Sequence, residues 1–180
     1  ISYRTALKAA LREDPDVIVI GELHDLETIE NAITASETGH LVIGTLHTSD
    51  AANTLNRLLD VFPPSQQPQI RAMRAGSLRG IICERLIPAA DGGLTTAYEI
   101  LINNMAVGNI ISEGKAFKLK STMQIGNKQG MCTLDQCLLE KYKAGLITYE
   151  VAKYYMHDQA ETAQLEREYA IRQAQQLQAN

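Results

Sequence analysis

Two short apolar runs decide what this chain can become. Residues 17–20 read Val-Ile-Val-Ile, and residues 40–46 read His-Leu-Val-Ile-Gly-Thr-Leu. Four β-branched residues between Pro15 and Gly21 are too few for a buried helix and read as a strand. Unbroken apolarity predicts burial on both faces, as in a parallel sheet. Between the runs, Leu26, Ile29, Ala32 and Ile33 fall on one helical face, with Asp25 placed to cap its start and Gly39 its end. Residues 2–13 form a further helix with Tyr3, Leu7, Ala10 and Leu11 inward. A strand–helix–strand–helix order needs crossover connections, so the fold class is α/β with a parallel sheet.

Ligands of such sheets collect beyond the carboxyl ends of the strands. Gly21 and Glu22 come directly after the first run; Thr45, His47 and Thr48 lie at the end of the second. A carboxylate at the end of an apolar strand is the arrangement of a Walker B element. The strand fixes the acid, which then orients a water, or reaches Mg²⁺ through water, beside a nucleotide phosphate. A strand-end Glu also serves to cap a helix or pair an arginine, and the residues alone leave both readings open. His47, between Thr45 and Thr48, is placed to hydrogen-bond a terminal phosphate or, more plainly, a backbone carbonyl. His40 opens the second strand, where its plain role is a helix-end contact. His24, His40 and His47 lack metal-ligand spacing, so no direct metal site is expected. No G-x-x-x-x-G-K-[ST] occurs among these residues; Gly108, Gly114, Lys115, Lys118 and Lys120 do not form one. A Walker B acid without that loop does not hold a nucleotide by itself.

Farther on, Thr48 or Ser49 is predicted to cap a helix carrying Ala52, Leu55, Leu58 and Leu59. Ser65 is predicted to cap a longer helix carrying Ile70, Met73, Leu78, Ile81 and Ile82. "RLIPAADGGLTTAYEILI" reads as a hairpin turning at Gly92-Gly93. Helical pieces come next at 105–114 and 116–125 and after the caps Thr133 and Thr148. The Gln-, Ala- and Glu-rich end has few apolar anchors and is expected to fray or protrude.

Seventeen basic residues against 21 acidic, no tryptophan and two phenylalanines give no nucleic-acid footprint. No apolar run approaches the roughly 20 residues of a membrane span, so no membrane insertion is expected, and no signal peptide is visible. Cys83, Cys132 and Cys137 are an odd set without C-x-x-C and read as reduced thiols of a cytosolic protein. The chain starts with Ile1 inside a helical pattern, which suggests a piece of something longer.

With these residues in view, the chain resembles the type IV pilus retraction ATPases, the PilT-like branch of the secretion ATPase superfamily. "DPDVIVIGE" is similar to that family's Walker B, "TGHLVIGTLHT" to its His box and "GMCTLDQCL" to a segment of its C-terminal helices. The match runs from about Ser2 to Tyr149 and thins in the tail. The resemblance implies the C-terminal half of a RecA-like P-loop NTPase domain, a parallel sheet with crossover helices and a β-hairpin, followed by a small helical bundle. It places a partial core at 1–104 without the Walker A loop and Asp box, a bundle at 105–158, and a helical or disordered tail at 159–180. It assigns Glu22 to catalysis, Gly21 to the Walker B backbone, and His47, His40 and Thr45 to phosphate sensing. It further implies ATP and Mg²⁺, a homo-hexamer, an inner-membrane pilus platform protein as partner, and a cytoplasmic place at that membrane. The isolated chain is expected to be inactive.

Two departures qualify the match. Where the family reads "GEMRD" or "GEIRD", this chain has His24, a titratable imidazole in place of a fixed guanidinium fork. Where the family's retraction motif reads "AIRNLIRE", residues 106–113 read "AVGNIISE": Asn109 and Glu113 remain, while Gly108 and Ser112 replace arginines. That leaves an accessory retraction ATPase or a non-catalytic docking module as alternatives to a principal motor. A type II secretion or pilus extension ATPase is a further alternative, though its four-cysteine module is not seen.

Overall fold

The computed structural model describes residues 2–179. Ile1 and Asn180, the outer ends of the expected core and tail, lie outside the described residues. The chain forms two compact units, one made of residues up to Gly80 with Ile102–Leu119, the other of Ile81–Leu101 with residues from Lys120 onward.

The first unit begins α1 (Tyr3–Arg12), β1 (Val17–Ile20), α2 (Leu26–Glu37), β2 (Leu41–Gly44). β1 and β2 pair in parallel, Val17 opposite Leu41 and Ile20 opposite Gly44, which is the crossover expected of the two apolar runs. Asp25 caps α2 as predicted, its Oδ1 accepting from Thr28 N at 2.8 Å. The burial of β1 differs from expectation. Ile18 and Ile20 are buried, but Val17 and Val19 are 48% and 70% exposed. Leu7 and Leu11 of α1 and Ala32 and Ala35 of α2 all pack against the Ile18–Ile20 face. The opposite face, with Leu41 and Ile43 of β2, stays open.

α3 (Ala51–Asp60) and α4 (Gln67–Ser77) complete a second apolar cluster of Ile29, Leu59, Phe62 and Ile70. Neither Thr48 nor Ser49 caps α3. Asp50 does, accepting from Asn53 N at 2.7 Å, while Thr48 shares a hydroxyl contact of 2.6 Å with Thr54. Ser65 does not cap α4 either; its N-cap is Gln66, with no side-chain bond, and Pro68 sits in its first turn. Helix α4 stops at Ser77, so Ile81 and Ile82 belong to the next strand. α5 (Met105–Ser112) returns to this unit, capped by Asn104, whose Oδ1 accepts from Val107 N at 2.9 Å.

In the second unit β3 (Gly80–Pro88) and β4 (Leu94–Ile102) form a two-stranded sheet. Their five-residue link allows only an antiparallel hairpin. After a 3₁₀ turn at Ala116–Lys118 come α6 (Leu119–Ile125), α7 (Leu134–Lys143), α8 (Tyr149–Tyr155) and α9 (Gln159–Ala179). Thr133 caps α7 with a full capping box and Thr148 caps α8, as predicted. Leu138, Ile147, Ala152 and Leu165 close the core over Ile87 and Ala97. The tail is a 21-residue helix whose first half is anchored rather than frayed. Leu165 is fully buried, Tyr169 stacks on Tyr149 at 4.0 Å, and Arg172 lies 4.5 Å over the Tyr142 ring. Among the described residues no helix is long and apolar enough to cross a membrane.

Candidate functional site

Parallel pairing puts the ends of β1 and β2 at one edge, and two cross-links join the loops that leave them. Leu23 N donates to Thr45 O at 2.9 Å, and the Thr45 hydroxyl donates to Gly21 O. The approach depends on Gly44, where an added Cβ would lie 2.5 Å from Leu23 Cδ1. Glu22 and His47 project beyond these links, with Glu22 Oε1 3.6 Å from His47 Nε2. That is ion-pair range for a protonated imidazole and slightly long for a hydrogen bond. Both side chains are open to solvent, the imidazole more than the carboxylate. Arg57 of α3 fixes the loop from behind by donating from its guanidinium to His47 O at 3.2 Å.

His24 turns away from this pair, its Nε2 3.2 Å from Asp25 Oδ2 and its ring edge-on to Tyr3 at 6.2 Å. The Thr28 backbone N–H holds the Asp25 carboxyl below the usual carboxylate range, which keeps the α2 cap charged.

The sequence-predicted residues divide by position. Gly21, Glu22, Thr45 and His47 come together. His40 precedes β2, roughly 13 Å of strand away from the loop beyond that strand's other end. Its Nδ1 lies 3.1 Å from Ala35 O and 3.2 Å from Thr38 Oγ1, at the carboxyl end of α2. Asn109 lies on α5, its carbonyl accepting from Glu113 N at 3.0 Å. Glu113 pairs with Lys115 at 3.0 Å, and that hydrogen bond holds its carboxyl below its ordinary value.

Among the described residues no group of three or more His, Cys, Asp or Glu is placed to hold a metal ion. Glu22 is a lone, half-open carboxylate beside an imidazole. Such a set can order a water between carboxylate and ligand and take its proton, and it can meet a hydrated cation through that cation's water.

A family profile described as "Type II/IV secretion system protein" matches residues 1–179. The chain belongs to the type II/IV secretion system protein family. Within this secretion family it is 47% identical over 153 residues to the type IV pilus retraction ATPase PilT of Pseudomonas aeruginosa, covering 85% of this chain and 44% of that one. It is 48% identical over 154 residues to a twitching motility protein of Neisseria gonorrhoeae, covering 85% of this chain and 41% of the relative. The crystal structure of the pilus retraction motor PilT with bound ADP superposes with a TM-score of 0.79 at 49% identity, covering 89% of this chain and 45% of that one. The resemblance read from the Walker B and His-box segments is thereby borne out, and so is the α/β fold class. This secretion-family chain spans less than half the length of the curated relatives it matches.

Reading the sequence misses Arg57, which holds the His47 carbonyl, and Asp50, which caps the helix that carries Arg57. Arg57 reads as an ordinary polar position on an amphipathic helix, and nothing local shows that it reaches back ten residues. Asp50 is legible, since Asp ranks with Ser and above Thr as an N-cap.

Proposed function

We propose that this chain supplies the Walker B and His-box side of an ATP-hydrolysing site in a hexameric motor that withdraws type IV pili. The phosphate-binding loop would come from sequence outside these residues. Glu22 would orient and deprotonate the attacking water from its fixed place at the end of β1. His47 would meet the terminal phosphate and, through Arg57 and the Leu23–Thr45 link, carry its loss into the sheet. Mg²⁺, when bound, would neutralise charge on the phosphate oxygens, and a single open carboxylate fits contact through its water shell. The partner on this reading is a pilus platform protein of the inner membrane, met from the cytoplasmic side.

The observation that carries this reading is the 3.6 Å approach of Glu22 to His47. Its test is Glu22→Gln in protein that also carries the phosphate-binding loop. ATP turnover is expected to fall by about 10²-fold or more with nucleotide still bound. Turnover that survives the change overturns the reading.

A second reading, an accessory retraction motor, is favoured by the α5 face. It offers Gly108 and Ser112 where the family segment places arginines, and keeps Asn109.

A further inference from the structure

Cys132 and Cys137 have no part in the proposed ATPase chemistry, yet they converge on one residue of β4. Tyr98 N donates to Cys137 Sγ at 3.3 Å, and Cys132 Sγ donates to Tyr98 O at 3.7 Å. The backbone explains the convergence. Cys132 bridges to Ile100 in antiparallel fashion, with Ile100 N to Cys132 O at 2.9 Å and Cys132 N to Ile100 O at 3.1 Å. A continuing strand would next pair Tyr98 with Leu134. Instead Thr133 caps α7 and the chain turns into a helix. Tyr98 therefore meets two sulfurs where a ladder partner would have stood.

The helix cap brings the sulfurs together for a second reason. With Thr133 at the N-cap, Cys132 is the residue before the cap and Cys137 the fourth helical residue. Those two positions pack side chain on side chain in a hydrophobic staple. Here both positions are held by thiols, both half-buried, and none of the three cysteines is in a disulfide.

We propose that Cys132 and Cys137 form a dithiol site that exchanges with low-molecular-weight disulfides and closes to an intramolecular disulfide across the α7 cap. The Cys137 thiolate attacks one sulfur of the small disulfide, giving a mixed disulfide and releasing one small thiol. The Cys132 thiolate then attacks Cys137 Sγ and releases the second. Two cysteine thiols lose two electrons and two protons; one small disulfide becomes two small thiols. Burial, and the neighbouring Cys137, push the Cys132 thiol up, which suits the second, intramolecular step better than the first. Closure would take Cys132's hydrogen bond from Tyr98 O and tie the start of α7 covalently to the residue that bridges β4.

The test is incubation of the protein with oxidised glutathione, followed by alkylation and trypsin. Residues 129–141 carry both cysteines in one peptide, and residues 80–85 carry the buried Cys83 as an internal reference. The expected result is loss of two of three alkylatable thiols, with the 129–141 peptide lighter by two hydrogens. In Cys132→Ser the same treatment is expected to stop at a stable glutathione adduct on Cys137. The proposal is overturned if wild type keeps all three thiols, carries one adduct on each of Cys132 and Cys137, or forms only intermolecular disulfides. It is overturned equally if Cys132→Ser leaves Cys137 unmodified.

Discussion

Lys120 Nζ stands 2.6 Å from Asp158 Oδ2, while Asp158 Oδ1 accepts from Ala160 N at 2.9 Å and Glu161 N at 3.2 Å. One carboxylate thus caps α9 and joins it to α6. The Lys120 hydrogen bond first, then the Glu161 N–H, hold the Asp158 carboxyl below its ordinary value. A depressed carboxyl stabilises above its unfolded value and loses that contribution as pH falls through the folded one. Asp158→Ala is therefore expected to cost about 1–2 kcal/mol at neutral pH, as loss of an N-cap does. In urea titrations that difference should shrink below about pH 4. A difference that persists unchanged into acid would show that the charge is not involved.

Arg74 is buried at 5% exposure, donates to Leu55 O at 2.6 Å and leaves its Nε without a partner. Burial first, then Arg71, push its guanidinium down to about 10. For a base lowered in the folded state, the charged form costs stability below the folded value, and the cost is relieved as pH rises past about 10. Arg74→Met keeps the volume and removes the charge, so it should change stability by less than about 1 kcal/mol. Arg74→Ala leaves a cavity and should cost about 3 kcal/mol. Equal losses in the two variants, compared by denaturant midpoint, would contradict this.

Gly108 sits inside α5 with room beside it, an added Cβ meeting Ala75 O at 3.5 Å and Asn103 Oδ1 at 3.7 Å. Gly108→Ala should therefore raise stability by about 0.5–1 kcal/mol through helix propensity alone. A fall in melting temperature would mean that α4 and α5 pack more closely there than these distances allow.

Thr45→Val keeps the side chain's shape and deletes the hydroxyl bond to Gly21 O. The stability cost should be small, about 0.5–1 kcal/mol. ATP turnover of protein carrying the phosphate-binding loop should fall severalfold, because Gly21 holds Glu22 in register. Unchanged turnover would detach this hydroxyl from the site.

How much of the molecule can be read from its residues varies with the range of the interaction. Asp25, Thr133 and Thr148 cap their helices as their local sequence indicates, because a cap is settled within four residues. The boundary between α4 and β3 is hidden because Leu78, Ile81 and Ile82 continue the helical spacing of Ile70 and Met73. The pairing of β3 with β4, a nonlocal matter, overrides that spacing. β1 reads as buried on both faces because Val and Ile are equally apolar in both rows, and only the placement of α1 and α2 separates them. The meeting of Glu22 with His47 is legible because parallel pairing of adjacent strands leaves no other edge for their ends. Arg57 and Arg74 act on carbonyls ten or more residues away and leave no local trace.

The open row formed by Val17, Val19, Leu41 and Ile43 is the surface through which this chain, handled alone, is expected to associate. Two adjacent ribbons of bare hydrocarbon offer a flat adhesive strip, and neighbouring molecules meet it more often as the solution grows denser. Light scattering from this chain alone is therefore expected to rise with concentration before any heating.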